Sequence, residues 1–142
     1  MVQPSDPNGA AERVTQESFA YKYRRLGTPA AQGVRVAVLG SDLPNGYTSV
    51  AQADRIAQLL LLAPGDSLLD LGSGRGWPGA RVAEKTGCRL VVTDLPLTAL
   101  RKAAARLSAL GSPGYGVVCA DGLHLPFRDS CFDAASHTDV LC

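Results

Sequence analysis

A glycine-rich run, residues 70–79 with the sequence DLGSGRGWPG, carries the most chemical information in this chain. It follows a short apolar stretch, so it predicts a buried strand that leads through a tight turn into a helix. Glycine allows a sharp turn and a close approach of a ligand to the backbone, because there is no Cβ in the way. Free amides at the helix start favour polar or anionic ligand atoms. An ordinary strand-to-helix turn is the alternative interpretation.

A second acidic residue, Asp94, lies 20 positions beyond Gly74, at the end of another predicted strand. At that distance from the glycines a carboxylate can accept hydrogen bonds from both hydroxyls of a ribose. The alternative is that Asp94 caps the helix that is predicted to begin near Pro96. The two roles are compatible, since a carboxylate has several acceptor sites.

The segments that position these residues alternate between short apolar runs and helical patterns, which predicts parallel βαβ units. The four predicted strands cover Ser67–Leu71, residues 89–93, Tyr115–Cys119 and residues 132–138. The two helices between them are expected over residues 78–87 and 96–110. Four residues of the second helix are expected on its buried face, namely Leu97, Leu100, Ala104 and Leu107. Three basic residues are expected to point away from that face: Arg101, Lys102 and Arg106.

The first 66 residues predict a different organisation, with a disordered tail over residues 1–9 and a helical cap over residues 10–66. An amphipathic helix is expected over residues 10–26, and residues 34–39 fit either a short strand or a buried turn of helix. Ser49 and Gln52 form a capping box that starts a helix over residues 50–62. Residues 45–49 either cover a ligand as a lid or form the turn before that helix.

The run Asp70-x-Gly72-x-Gly74-x-Gly76, together with Asp94, resembles the first two motifs of the class I S-adenosylmethionine-dependent methyltransferases of small-molecule type. Residues 120–122 resemble the third motif, and residues 125–133 resemble the link into the fourth strand. The resemblance implies an α/β, Rossmann-like sheet with strand order 3-2-1-4. It also implies that residues 67–142 are an S-adenosylmethionine-binding half domain, incomplete after the fourth strand.

The resemblance further implies a set of cofactor-binding residues: Asp70, Gly72, Ser73, Gly74, Gly76, Asp94, Leu95, Asp121 and Gly122. The first four would border the methionine part, Asp94 the ribose, Leu95 one adenine face, and Asp121 the adenine amino group. A catalytic base is needed only for an acceptor that holds a proton. His137 and Asp139, near the end of the fourth strand, are the candidates for that base.

The glycines alone also match a dinucleotide fingerprint, Gly74-x-Gly76-x-x-Gly79, so an NAD(P)-dependent oxidoreductase is a competing interpretation. Asp70 favours the methyltransferase, because a carboxylate suits the ammonium end of a methionine better than a pyrophosphate. We therefore expect methyl transfer to a small-molecule acceptor. Two non-enzyme alternatives are a non-catalytic S-adenosylmethionine-binding fragment or decayed paralogue, and a structural module that has lost cofactor binding.

The composition limits the classes of partner that this chain is expected to bind. With 14 basic and 13 acidic residues the net charge is +1, which gives no excess of charge to bind nucleic acid. No run approaches the roughly 20 apolar residues of a membrane span, so a soluble, cytoplasmic protein is expected. The four cysteines form no C-x-x-C pair and are interpreted as small buried hydrophobes, with no metal site. Finally, we expect a truncated chain that self-associates through the edge of the fourth strand and has little or no turnover.

Overall fold

The computed structural model describes residues 17–18, 21, 25, 28–42, 44, 46–111 and 114–139. The tail predicted over residues 1–9, and most of the helix predicted over residues 10–26, lie outside these residues. The helices are α1 (Pro29–Leu39), α2 (Val50–Leu60), α3 (Gly79–Thr86) and α4 (Leu97–Ala109). The strands are β1 (Ser67–Leu71), β2 (Arg89–Asp94), β3 (Tyr115–Cys119) and β4 (Ala134–His137).

The four strands form one parallel sheet with the order β3-β2-β1-β4, which confirms the predicted fold. Leu71 at the end of β1 lies opposite Thr93 of β2 on one side and His137 of β4 on the other. Asp94 lies opposite Cys119 of β3. The carboxyl ends of all four strands therefore meet at one edge, and the strand order reverses between β1 and β4. Ligands of such sheets bind in the crevice at that reversal.

The apolar core lies between the sheet and the helices α3 and α4. Side chains from both helices pack with Leu68, Leu90 and Val92 in one cluster. The helical members of the cluster are Ala80, Val82, Ala83, Leu100, Ala103 and Leu107. Complete burial of each leucine or valine stabilises the fold by about 1.5–3 kcal/mol. The strand that ends in the glycine run is thereby fixed in the best-packed part of the molecule.

The buried face of α4 differs from the predicted one. It consists of four residues, namely Ala99, Leu100, Ala103 and Leu107. Leu97 is 57% exposed, because it is the first residue of α4 and lies ahead of the turns that cover the sheet. Arg106 is half-buried and donates from Nη1 to the carbonyl oxygen of Arg75 at 3.0 Å. The prediction was therefore wrong for Leu97, and Arg106 points to the glycine run rather than to solvent.

The segment of residues 34–39 belongs to α1, so the strand alternative is wrong. The helix alternative is confirmed, but the expected burial is wrong, because Val34 and Val38 are 64% and 72% exposed. Their alternation with other residues spreads the valines around the helix axis, and Arg35 is the buried residue of α1. The capping box of Ser49 and Gln52 is confirmed, although α2 ends at Leu60, two residues before its predicted end.

The described cysteines are less buried than predicted, and Cys142 lies outside the described residues. Cys88 is buried, but Cys119 and Cys131 are exposed, because they lie at the end of an outer strand and in a loop. Over the described ranges, no group of metal-ligating side chains is present. None of the helices in those ranges is both long and apolar enough to cross a bilayer. The self-association expected through β4 stays a prediction.

Candidate functional site

The glycine run forms the turn between β1 and α3. Gly72, Gly74 and Gly76 have φ angles of 64°, 58° and 86°, which other residues adopt only with strain. Ser73 donates from its backbone N–H to the carbonyl oxygen of Thr93 at 3.0 Å, which fixes the turn to the end of β2. The turn therefore has a defined shape before any ligand binds.

Asp70 joins three elements beneath this turn. Its side chain has no exposed surface. One carboxylate oxygen accepts from the backbone N–H of Gly79 at 2.9 Å, and the other accepts from the Ser136 hydroxyl at 2.6 Å. Ser136 lies opposite Asp70 in the sheet register. The carboxyl group thus connects the end of β1 with the start of α3 and with β4.

Burial raises the pKa of Asp70 to about 6, since a charge without solvent contact is costly. The hydrogen bonds from Ser136 and Gly79 oppose this rise, and the nearby charge of Asp94 adds to it. Through its bonds with Gly79 and Ser136, the carboxyl group fixes the position of the turn. Its direct contact with the ammonium group of a ligand stays a prediction.

Asp94 holds the turn from the side of β2. Its Oδ2 accepts from the backbone N–H of Gly74 at 2.6 Å, and its Oδ1 accepts from Leu95 at 2.8 Å. The N-cap of α4 is Pro96, and no side chain caps it, so the helix-cap alternative for Asp94 is wrong. A carboxylate has about four acceptor positions in all. Asp94 can therefore hold the turn and accept from a ligand at the same time.

The third side of the edge follows β3. Ala120 donates from its N–H to the carbonyl oxygen of Asp94 at 3.2 Å, which places Asp121 beside the end of β2. Asp121 accepts from the N–H of Leu123 at 3.0 Å and contacts Nδ1 of His124 at 3.2 Å. The Leu123 bond, with a smaller contribution from His124, lowers the pKa of Asp121. Asp121 is therefore an ionised acceptor at neutral pH, and Gly122 beside it has open space around it.

The two catalytic candidates lie beyond β4 and differ in their surroundings. His137 is exposed at the end of the strand. Asp139 accepts from the backbone N–H groups of Tyr47 and Thr48 and from the Thr48 hydroxyl, at 3.0, 3.1 and 2.9 Å. Asp139 is thus an anchor for a segment that lies more than 90 residues earlier in the chain.

Sequence reasoning missed three residues that build this edge. Ser136 has a recognisable signal, because a polar residue in an apolar strand opposite Asp70 needs a polar partner. Trp77 is buried and donates from Nε1 to the carbonyl oxygen of Thr48 at 2.8 Å, a bond that nothing in the sequence around it signals. Thr48 carries no signal of its own. Ser49 caps α2, so the turn interpretation of residues 45–49 holds for that residue.

Comparison with known proteins identifies the family. A family model described as a methyltransferase domain matches residues 68–142, slightly more than half of the chain. The chain belongs to the methyltransferase domain family. The match covers the sheet, the glycine turn and every residue of the predicted cofactor set, and it supports the methyltransferase interpretation over the dinucleotide one.

Two curated relatives illustrate the range of this methyltransferase family. Demethylmenaquinone methyltransferase from Corynebacterium urealyticum is 40% identical over 99 residues, covering 67% of this chain and 40% of the relative. 24-methylenesterol C-methyltransferase 2 from Oryza sativa subsp. japonica is 33% identical over 90 residues, covering 63% of this chain and 25% of the relative. The chain thus spans two fifths or less of the length of these curated relatives.

A solved methyltransferase gives the same fold and a ligand of the family. The S-adenosylmethionine-dependent methyltransferase from Thiobacillus denitrificans, in complex with S-adenosyl-L-homocysteine, has a TM-score of 0.53 and 27% identity. The alignment covers 60% of this chain and 34% of that one. S-adenosylmethionine is the cofactor of this family. The residues at the sheet edge fit it, because they combine a turn without Cβ atoms with carboxylates that can accept from hydroxyl and amino groups.

Proposed function

We propose that this domain binds S-adenosylmethionine at the carboxyl ends of β1, β2 and β3 and transfers its methyl group to an apolar small molecule. The observation that supports the proposal is the bond from Gly74 to Asp94, which joins the glycine turn to an acceptor on the next strand. Asp94 would accept from the ribose hydroxyls, and Leu95 would cover one adenine face. Asp121 would accept from the adenine amino group.

The residues of the glycine turn, together with Asp70 before it, act on the methionine part. Gly72, Ser73 and Gly74 would border it with their backbone, and Gly76 keeps the turn in shape. Asp70 would contribute by fixing the turn in place through its hydrogen bonds with Gly79 and Ser136.

When bound, S-adenosylmethionine supplies a methyl group that is already activated on a sulfonium. The protein therefore needs no covalent step, and its contribution is to align the acceptor. An acceptor with a proton to lose also needs a base. His137 is the stronger of the two candidates, since it is exposed at the strand end, whereas Asp139 holds residues 47 and 48.

The acceptor class is inferred from the relatives. Their names specify a demethylmenaquinone and a methylenesterol, which are both largely hydrocarbon molecules. The balanced charge of the chain, with 14 basic and 13 acidic residues, also argues against a polyanionic acceptor such as nucleic acid. We infer an apolar small-molecule acceptor on this basis.

Ligand titration tests the proposal. S-adenosylhomocysteine at a hundred times its dissociation constant should stabilise the protein by about 2.7 kcal/mol, and NAD should not stabilise it. Asp94→Ala should weaken binding by about 1.5–3 kcal/mol, because it removes a charged acceptor for two hydroxyls. It should also lower the unliganded stability by roughly 1 kcal/mol, because Gly74 and Leu95 lose their acceptor.

Asp129→Ala is the matched control, since Asp129 is an exposed carboxylate in the loop before β4. It should bind S-adenosylhomocysteine like the wild type. Calorimetry gives the affinities and thermal unfolding gives the stabilities. Stabilisation by NAD alone would overturn the assignment in favour of a dinucleotide enzyme.

A further inference from the structure

The segment of residues 46–48 is fixed to the end of β4 by Asp139. Oδ2 of Asp139 accepts from two backbone N–H groups and one hydroxyl, all within 3.1 Å. Gly46 lies so close that a Cβ there would overlap the Asp139 carboxyl group. Three donors on a single carboxylate oxygen, with a glycine packed against the same group, make this a tightly defined contact between distant parts of the chain.

The same segment is held from its other side by the glycine turn. The indole Nε1 of Trp77 donates to the carbonyl oxygen of Thr48 at 2.8 Å. Trp77 is 4% exposed and Thr48 is 8% exposed, so both partners of this bond are buried. A buried donor that loses its acceptor costs about as much as its desolvation, so the bond is not easily given up. Thr48 is thus clamped between Asp139 and Trp77.

Arg75 adds a second tie from the turn. Its Nη2 donates to the carbonyl oxygens of Asp42 and Pro44 at 3.1 and 3.4 Å. Asp42, Pro44 and Thr48 are therefore attached to the glycine turn through Arg75 and Trp77, and residues 47 and 48 are attached to the end of β4. A movement of the turn would be transmitted to this segment, and a movement of the segment would be transmitted to the turn.

The location of the clamp connects it with the ligand crevice. His137 at the end of β4 lies opposite Leu71 at the end of β1. The strand order reverses between β1 and β4. Asp139 comes two residues after His137, and Trp77 comes at the end of the turn that follows Leu71. The clamped segment therefore lies beside the point where a sheet of this kind binds its ligand.

We propose that Asp139 is a positioning residue that holds residues 46–48 as a fixed wall of the ligand crevice, coupled through Trp77 to the glycine turn. The inference rests on the proposed function, since the turn is taken to carry the cofactor. Tyr47 within this wall is 82% exposed, so its side chain is accessible to a ligand. In this proposal Asp139 serves the wall through Oδ2 rather than acting as the base.

Two substitutions of Asp139 separate this role from a simple backbone role. Asp139 has a φ of 58°, a conformation that glycine and asparagine tolerate well. Asp139→Gly keeps the backbone relaxed but removes the acceptor, and it should weaken S-adenosylhomocysteine binding about tenfold. Asp139→Asn retains a carbonyl oxygen as acceptor and should lose about threefold or less. If only the backbone conformation matters, Asp139→Gly binds like the wild type.

Tryptophan fluorescence distinguishes a positioning role of Asp139 from a merely structural one. Trp77 is the single tryptophan of the chain, so its emission reports directly on the clamp. S-adenosylhomocysteine should change this emission in the wild type, and Asp139→Gly should shift the unliganded emission to the red and abolish the ligand-dependent change.

Gly46→Ala breaks the same contact from the opposite side and should reproduce both effects of Asp139→Gly. Gly33→Ala is its matched control, since nothing lies within 4 Å of a Cβ at that position. If the wild type does not bind S-adenosylhomocysteine, the proposed function itself is contradicted. A wild type that binds, with Asp139→Gly and Gly46→Ala unchanged in affinity and emission, overturns only the clamp. Circular dichroism confirms that each variant is folded, and Thr48→Val replaces any variant that is not.

Discussion

The β1–β2 side of the proposed cofactor site and its β3 side are built in different ways. On the first side, Asp70 and Ser73 are 0% and 1% exposed. Their hydrogen bonds join residues that lie far apart in the chain, such as Asp70 and Ser136. On the second side, Leu123 is 86% exposed, and Asp121 bonds only within its own turn in the contacts described.

The contrast shows which part of the proposed site is fixed by folding. The β1–β2 side shares its residues with the core, so its shape is determined when the sheet and α3 pack together. The β3 side is a local turn, and such turns open at little cost in free energy. Substitutions on the first side should therefore change stability and binding together, whereas those on the second side should change binding alone.

The largest expected effect concerns the pH dependence of stability. The pKa of Asp70 is raised from 3.8 to about 6 in the folded protein, so the folded state binds more protons than the unfolded state between these values. Stability from this group is therefore greatest below the unfolded pKa of 3.8 and is lost as the pH rises through 6. Asp70→Asn carries no ionisable group, and it can still bond with Gly79 and Ser136.

The stability difference between Asp70→Asn and the wild type should thus shift in favour of the variant by roughly 3 kcal/mol from pH 3 to pH 7. Urea unfolding at several pH values measures this difference. Asp121→Asn serves as the control from the β3 side. The pKa of Asp121 is lowered mainly by a bond within its own exposed turn, so removing that group should change the pH profile only slightly, and in the opposite direction. Parallel profiles for Asp70→Asn and the wild type would contradict a buried carboxyl group on the first side.

The next effect concerns the glycine that starts α3. A Cβ on Gly79 would lie 2.6 Å from Oδ2 and 2.9 Å from Cβ of Asp70, and the buried carboxyl group has no room to move away. Gly79→Ala should therefore lower the free energy of unfolding by about 1–3 kcal/mol, although alanine is the better helix former. Gly122→Ala on the β3 side has nothing within 4 Å of its Cβ and should change stability by less than about 0.5 kcal/mol.

Thermal or urea unfolding of both alanine variants makes this comparison directly. Equal losses at Gly79 and Gly122 would show that the two sides are equally rigid, and the contrast between them would be wrong.

The sheet could be predicted from the sequence because its strands are short apolar runs between turn residues. Ser67–Leu71 and Tyr115–Cys119 were predicted with the bounds that the structure has. The segment of residues 34–39 could not be assigned, because alternating valines suit a strand and six residues are too few to define a helical period. In α1 the helix begins instead with the Thr28 cap and Pro29, signals that lie before those valines.

The sequence predicted the acidic residues of the candidate site but not their hydrogen-bond partners. Asp70 and Asp94 stand out because they lie at fixed distances from the glycines. Their partners Ser136 and Gly74 follow from strand register and turn shape, which the spacing of residues alone does not specify. The contact of Thr48 with Asp139 spans 91 positions and depends on how the first segment packs on the sheet. Such contacts are products of the tertiary fold.

The smallest expected effect tests the β3 side itself. Asp121→Ala removes an exposed turn residue whose described bonds reach only Leu123 and His124, so thermal unfolding without ligand should match the wild type. Binding of S-adenosylhomocysteine should weaken about fivefold, because the adenine amino group loses a charged acceptor. S-inosylhomocysteine, which has an oxygen in place of that amino group, isolates the contact, since its affinity should not fall on the same substitution. A comparable loss for both ligands would place Asp121 away from the amino group. A fall in unliganded stability would show instead that the β3 turn is as integral to the fold as the glycine turn.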